Sequence, residues 1–447
     1  MDELTLQAFT GNSWQDIAIL KFSLNANGIY PNVELMYNTE YAIEHLQKDN
    51  QFAVSLNYPV ELAYSSEQPK GWLRFLDDII PSGASRRYWL KFLSISELNS
   101  QLQHYILLKY GTIAPIGNLR IKQSLAEKSA VAIRYFAMAD VIERNVDFLE
   151  YAQQNGAAAG GATGAGGEAP KLLLRCNSNN QVWIDTYQDT LNNPDHYYLV
   201  KFPRGQRTAI DSDILRTEYH YYHELSAMGF NTIDTRFMRL EEGSRYPSLW
   251  LPRFDIQTLP NGEKIRCALE SVYSVLQKEP GAFLDQETTI RELLAKITHS
   301  QTIQQDGDFS TADFIIEWVR RDLLNIAFGN SDNHGRNTAL LRYGDQIRLA
   351  PIYDFAPMKA DPEGIIRTMR WDKTIELGGK YDFVALSQCL ADLIEPERLL
   401  QQLRQTALQL CNLKVRLIQR GVPRSIIEMP TMGFSYLEQR LTEWKLL

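Results

Sequence analysis

Asp332, Asn337 and Asp354 are residue types that can move a phosphoryl group, provided the chain brings them together. A carboxylate can accept or orient the proton of an attacking hydroxyl, while an amide oxygen and a second carboxylate hold a divalent cation against phosphate oxygens. Asp332 and Asn337 belong to the loop Gly329-Asn-Ser-Asp-Asn-His-Gly-Arg-Asn337. Two apolar-alternating runs follow, Thr338–Tyr343 and Gln346–Tyr353, separated by Gly344-Asp345, and this pattern predicts a β-hairpin. With Tyr343 facing Gln346, Asn337 returns beside Ile352 and close to Asp354. Each polar residue alone is better read as a turn former or a strand-end cap. The three together, with the hairpin between them, point to phosphoryl transfer.

Protein kinases keep a catalytic Asp and a metal-binding Asn at this spacing, followed by a metal-binding Asp before Phe. Asp354-Phe355 repeats that pair, although Ala356 replaces the usual Gly and no His-Arg precedes Asp332. Such chemistry also needs a cation for the phosphates. Lys201 lies in the otherwise apolar strand Tyr197–Phe202, and a helix capped at Asp211 or Ser212 runs to Met228 before Gly229. Glu218 falls on the apolar stripe of that helix with Ile214, Leu215, Tyr222 and Leu225, where a carboxylate wants a cationic partner such as Lys201. The alternative leaves Glu218 at the stripe's edge and lets Lys201 reach water.

Asn155–Lys171 is the most biased stretch, with Gly164, Gly166 and Gly167 ahead of Pro170-Lys171. It reads equally as a flexible linker or as a loop whose backbone amides approach phosphate, and no Gly-Lys-Ser/Thr ends it. Lys171–Arg175 then pairs with Gln181–Ile184 across Asn177–Asn180. Leu249–Leu251 forms a further strand that ends in Pro252-Arg253-Phe254-Asp255. His334 has no second His at ligand spacing and is read as a hydrogen-bonding residue that shapes its loop. His220 and His223 are read as surface residues. No Gly-x-Ser-x-Gly elbow is present, which lowers a serine-hydrolase reading.

At 447 residues the chain is long enough for two or three domains, and 44% apolar with 22% charged residues is ordinary globular composition. A net charge of −8 argues against direct nucleic-acid binding by the whole chain, so Arg86-Arg87 and Arg320-Arg321 are read as solvated helix faces. Four scattered cysteines, without a Cys-x-x-Cys, argue against a zinc site or a disulfide framework. The N-terminal residues lack a signal-peptide pattern and no apolar run spans a bilayer, so a cytoplasmic protein without membrane association is expected. In the first part, Tyr41–Leu46 reads as helix, Gln51–Leu56 as strand, and Trp72–Leu76 as the start of a helix. Phe314–Phe328, Leu386–Gln419 and Ser435–Trp444 read as helices in the last.

These residues together resemble the HipA-like serine/threonine kinases of bacterial toxin–antitoxin systems. The resemblance rests on Gly-Gly-Glu-Ala-Pro-Lys171, the strand Lys201-Phe-Pro, Glu218-Tyr219, Arg253-Phe-Asp255, Asn330–Asn337 and Pro351-Ile-Tyr-Asp354. Tyr37–Ala42, Ala53–Leu56 and Phe75–Arg87 extend it into the N-terminal part. It implies an α+β, bilobal protein-kinase-like fold: an N-terminal α/β subdomain over 1–145, a nucleotide-binding lobe over 146–255, and a mainly helical lobe over 256–447. It further implies ATP and Mg²⁺ as cofactors, with Asp332 catalytic and Asn337 and Asp354 holding the metal. The nucleotide would lie among Gly164, Gly166, Gly167, Lys171, Lys201, Glu218, Arg253, Phe254, Asp255, His334 and Asn337. The implied partners are a protein Ser/Thr substrate, the translation machinery being one candidate, and a HipB-like helix-turn-helix antitoxin through which any DNA contact would run. Two departures stand out. Gly164 replaces the loop Ser that the family phosphorylates on itself, which leaves Thr163 as the candidate, and Pro252 replaces an acidic residue before the hinge. Competing readings are a small-molecule phosphotransferase and a catalytically weak, nucleotide-binding corepressor.

Overall fold

Apolar alternation, interrupted by a register shift between Leu6 and Gln7, builds the first sheet. Strands β1 (Asp2–Thr10) and β2 (Ser13–Ser23) turn at Gly11-Asn12, both residues at positive φ (54° and 68°), as a two-residue hairpin turn requires. With β3 (Asn32–Tyr37) and β4 (Leu119–Ile121) they form the order β3-β2-β1-β4. Leu4, Leu6, Ala18, Leu20, Phe22, Val33 and Leu35 supply its buried face, which packs with Tyr105 and Leu108 of the helix Ser100–Gly111. The computed structural model describes residues 2–23, 32–62, 71–113, 115–125, 134–144, 171–184, 189–305 and 307–447. Thr163, Gly164, Gly166 and Gly167 lie outside them.

Two N-terminal expectations are corrected. Gln51–Leu56 is a turn with a single bridge, Ser55 to Tyr58, because side chains satisfy its backbone: Tyr37 Oη accepts from Val54 N at 2.9 Å and Tyr41 Oη donates to Phe52 O at 2.7 Å. Trp72–Leu76 does not open a long helix. A 3₁₀ turn covers Arg74–Asp78, and Pro81 bars its continuation before the helix Gly83–Phe92 begins.

A six-stranded antiparallel sheet comes next: β5 (Phe136–Ala137), β6 (Lys171–Cys176), β7 (Gln181–Trp183), β8 (His196–Lys201), β9 (Arg239–Glu242) and β10 (Pro247–Pro252), in the order β5-β7-β6-β8-β10-β9. The long helix Ala209–Ala227 lies against it, with Tyr222 and Leu225 sharing one core with Leu249 and Leu251. Its N-cap is Thr208 rather than Asp211 or Ser212. Thr208 Oγ1 accepts from Asp211 N while Asp211 Oδ2 accepts from Thr208 N at 2.8 Å, a reciprocal box that places Asp211 at the third helical position. His220 and His223 on this helix are half-buried, not surface residues. His220 faces Gly421, and burial pushes its pKa down to about 4.

The remainder is mainly helical around one continuous apolar core, with Gln286–Thr298, Thr311–Ala327 and Pro396–Leu410 as its longer helices. Arg320 and Arg321 are half-buried rather than solvated: Arg320 Nε donates to Thr406 Oγ1 at 2.9 Å and Arg321 Nη1 to Ala350 O at 2.7 Å. The strands Ala268–Ser271, Ala339–Tyr343 and Gln346–Leu349 form a small sheet, and the last two make the expected hairpin with Tyr343 opposite Gln346. All four cysteines are free thiols. Among the described residues no helix is long and apolar enough to cross a membrane.

Candidate active site

The loop before the hairpin is shaped by its own polar side chains. Asn330 Nδ2 donates to Asn325 Oδ1 at 2.9 Å and its Oδ1 accepts from Asp332 N at 3.3 Å, which turns the chain out of the helix Thr311–Ala327. Asn337 Nδ2 then donates to Asp332 O at 2.8 Å, closing the loop across the five-residue spacing seen in the sequence. The same amide leaves Asn337 Oδ1 buried without a hydrogen-bond partner. An orphaned amide oxygen of this kind suits a hard cation. His334 Nδ1 accepts from Arg336 N at 3.2 Å, so in the neutral ring the proton sits on Nε2, 3.4 Å from Asp332 Oδ1. Burial lowers the His334 pKa, which favours that neutral ring.

Strand pairing supplies the cations. Lys171 on β6 stands directly opposite Lys201 on β8, which brings two ammonium groups to one end of the sheet. Like charges in that position repel unless an anion lies between them. Asp354 is that anion: Oδ2 is 3.3 Å from Lys171 Nζ, and Oδ1 accepts a very short hydrogen bond from Lys201 Nζ. Asp354 takes a left-handed φ of 51°, a strained conformation for a non-glycine residue, which turns its carboxylate out of the strand path. Lys201 Nζ also donates to Glu218 Oε1 at 2.6 Å, and Tyr222 Oη donates to the same oxygen at 3.0 Å while accepting from Phe355 N at 3.2 Å.

The charges settle accordingly. Burial alone would raise the Asp354 pKa, but Lys171 and Lys201 outweigh it and hold the carboxyl well below the usual range. Burial likewise works against the charge on Lys201, yet Asp354 and Glu218 carry its pKa above the ordinary lysine value. Lys171 has Asp354 as its main counter-charge, and there burial wins and lowers the pKa.

Asp332, Asp354, Lys171, Lys201 and Glu218 line one pocket, and Lys171, Lys201 and Asp354 also form the polar end of an adjoining cleft. Ile116, Leu199, Ile233, Leu251, Phe254 and Tyr353 make the apolar walls of that cleft, with the Phe254 and Tyr353 rings stacked at 5.0 Å. Its free space is about 30 Å³, room for a water or two. Arg253 and Asp255 line it as well, but their charges are taken by each other: Nε to Oδ1 is 3.0 Å and Nη2 to Oδ2 is 2.5 Å. Arg253 N donates to Tyr197 O at 2.9 Å and Gly117 N to Asp255 Oδ2 at 2.8 Å. Arg253 and Asp255 are thus paired with each other in the wall of the cleft, and Phe254 gives it a flat aromatic surface. Sequence reasoning missed Tyr222, Tyr353 and Ile116. Tyr222 was legible as the residue one helical turn beyond Glu218 on the same stripe.

A family model for the HipA-like C-terminal domain matches residues 163–412. The chain belongs to the HipA-like family. A HipA-like fold extends through the N-terminal part as well: HipA in the Shewanella oneidensis complex of a toxin–antitoxin system, HipA, HipB and operator DNA, superposes over 99% of this chain and 97% of its own at a TM-score of 0.64 and 15% identity. The Helicobacter pylori proinflammatory kinase CtkA overlaps 62% of this HipA-like chain and 92% of its own, with a TM-score of 0.38 and 11% identity, too weak a likeness to carry an argument. Curated protein sequences give no match.

Among the described residues no three His, Cys, Asp or Glu side chains gather into a metal cage. Asn337 Oδ1, buried and unpartnered, and the Asp354 carboxylate, held by Lys171 and Lys201, are each oxygen donors of the kind a hard cation takes beside water and phosphate.

Proposed function

We propose that this HipA-like chain is an ATP- and Mg²⁺-dependent protein kinase that phosphorylates a Ser or Thr hydroxyl. The observation that carries the reading is the convergence of Lys171 and Lys201 on Asp354, beside the Asp332–Asn337 loop with its orphaned amide oxygen. In a bilobal, kinase-like arrangement the cleft walled by Leu199, Leu251, Phe254 and Tyr353 would have to open beyond its present water-sized space to receive adenine. The two lysines would turn from Asp354 to the phosphates. Asn337 and Asp354 would hold Mg²⁺, whose charge neutralises phosphate oxygens when bound.

Asp332 then accepts the proton of the attacking hydroxyl as its oxygen bonds to the γ-phosphorus and ADP leaves. His334, neutral, holds the carboxylate side of the loop. The HipA–HipB–DNA assembly of the Shewanella protein supports a helix-turn-helix antitoxin as partner, with DNA reached through it. Residues 1–145, 146–255 and 256–447 would be the N-terminal subdomain and the two lobes.

The test is incubation of the protein and its Asp332→Asn form with Mg²⁺ and radiolabelled ATP, followed by phosphosite mapping. Label on a Ser or Thr that falls by roughly 10²–10⁴-fold in the mutant, with ATP binding retained, is the expected outcome. Absence of label in the wild type on itself, on protein extracts and on small-molecule acceptors would overturn the kinase reading and leave a nucleotide-binding corepressor. Label at Thr163 would locate self-regulation.

A further inference from the structure

The loop that carries Asp332 and Asn337 is also held from the N-terminal subdomain. Arg336, between His334 and Asn337, is buried, and its Nη2 donates to Asp77 O at 3.1 Å. Asp77 and Asp78 end the 3₁₀ turn Arg74–Asp78, far away in sequence. Both carboxyls are buried. Burial raises the pKa of each, for Asp78 to about 7, and the Arg336 charge is the strongest influence opposing that rise in both cases.

Asp77 is otherwise held by Trp72 Nε1 at 2.9 Å and Arg74 Nη1 at 3.4 Å. Asp78 Oδ2 accepts from Ser271 N at 2.7 Å, whereas Oδ1 is buried without a hydrogen-bond partner. Ser271 leads into two amides that grip the same loop: Val272 N donates to Thr338 O at 3.0 Å and Tyr273 N to Gly335 O at 3.2 Å. From the opposite side, Tyr353 Oη donates to Arg336 O at 2.6 Å, one residue before Asp354. Arg336 is thus the point where the N-terminal turn, the catalytic loop and the strand end bearing Asp354 meet.

Burying an Arg and a carboxyl that keep unmatched polar atoms is a poor way to stabilise a core, since apolar residues of similar size do better. Such a pair makes sense where geometry matters more than stability. We propose that Asp77 and Asp78 are positioning residues for phosphoryl transfer: Asp77 through its carbonyl on Arg336 Nη2, and Asp78 through Ser271, whose following amides hold Thr338 and Gly335, set the placement of Asp332 and Asn337 relative to Asp354. The N-terminal subdomain thereby becomes part of the catalytic apparatus without touching the substrate. The inference rests on the kinase reading for its consequence in rate, but the mechanical link is measurable without it.

The experiment compares the full-length protein with Asp78→Asn, Arg336→Gln and the double variant in two readouts: steady-state phosphoryl transfer with ATP, and amide hydrogen exchange over 330–338. Each single variant should lower kcat by roughly tenfold to a hundredfold with KM for ATP within about twofold, as expected when reacting groups shift but nucleotide contacts remain. Exchange over 330–338 should accelerate while the sheet β1–β4 stays protected. The double variant should be no worse than the poorer single one, because both act on the placement of the same loop. Unchanged exchange in both single variants, or additive losses in the double one, overturns the proposal. Should Arg336→Gln fail to fold, Arg336→Lys is read by the same two measurements. A wild type that transfers no phosphate defeats the kinase reading alone, and the exchange pattern still decides the positioning link.

Discussion

Lys201 faces two carboxylates in a site where only 4% of its surface meets water, so its charge and theirs depend on each other. The raised Lys201 pKa means that its contribution to stability is fully present below the unfolded lysine value of about 10.4 and fades as pH climbs through the higher folded value. Asp354 works in the other direction. Its depressed pKa contributes stability above about pH 3.9, lost as pH falls toward the folded value. Asp354→Asn should therefore flatten the acid limb of a urea-denaturation series below about pH 4, and a limb identical to wild type would show that the carboxylate is not held down by its lysines. Glu218→Gln keeps the shape but removes one counter-charge, and it should cost roughly 1–3 kcal/mol in the same assay together with a lower transfer rate. Full activity and stability would dissolve the Lys201–Glu218 pair. That pair was legible from a carboxylate on an apolar stripe and a lysine in an apolar strand, since each needs a partner once buried.

Among the elements, the turn and register of the hairpin Ala339–Tyr343 and Gln346–Leu349 were readable, because alternation and a Gly-Asp turn are local signals, but its second strand ends at Leu349 rather than Tyr353, and Ile352 bridges Thr232 instead of returning beside Asn337. The loop ahead of the hairpin was not readable. Gly335 is required because a Cβ there would lie 2.8 Å from Tyr273 Cδ1 and 2.9 Å from Leu284 Cδ1, atoms far away in sequence. Gly335→Ala should cost roughly 1–3 kcal/mol in thermal melts through overpacking against that ring, and should reduce transfer more than ATP binding. Equal losses in both would mean that the substitution disturbs the cleft rather than the loop. Gln51–Leu56 shows the opposite failure of local reading: its alternation suggested a strand, yet tyrosine hydroxyls and an asparagine side chain took its backbone groups, and no neighbouring strand was needed.

Across the molecule, a second buried arginine ties the N-terminal part to the hairpin Ala339–Tyr343 and Gln346–Leu349. Arg342 Nη1 donates to Asp49 O at 2.7 Å and Asn50 O at 2.9 Å, while Nη2 lies 3.4 Å from Glu270 Oε2. Glu270 in turn accepts from Ser55 Oγ at 2.5 Å and Leu56 N at 2.9 Å. Arg342→Ala would leave Glu270 buried without its cation, and a loss of about 3–5 kcal/mol is expected. Calorimetry should show one transition for the wild type and two for the variant, and a single variant transition at the wild-type temperature would refute the coupling. The HipA-like superposition over 99% of the chain includes this N-terminal part, although the family model begins only at residue 163.

Residue order was enough to propose phosphoryl chemistry, because Asp332 and Asn337 precede, and Asp354 follows, a hairpin whose turn and pairing follow from short-range rules. It also indicated a cation for Glu218. The sharing of Asp354 between Lys171 and Lys201, the self-paired Arg253 and Asp255, and the hold of the Asp77 carbonyl on Arg336 and of Asp78 on Ser271 came only from the folded chain. Their partners lie on separate strands and turns. A charged side chain's cheapest partner depends on which surfaces close over it, and no spacing in the sequence encodes that closure.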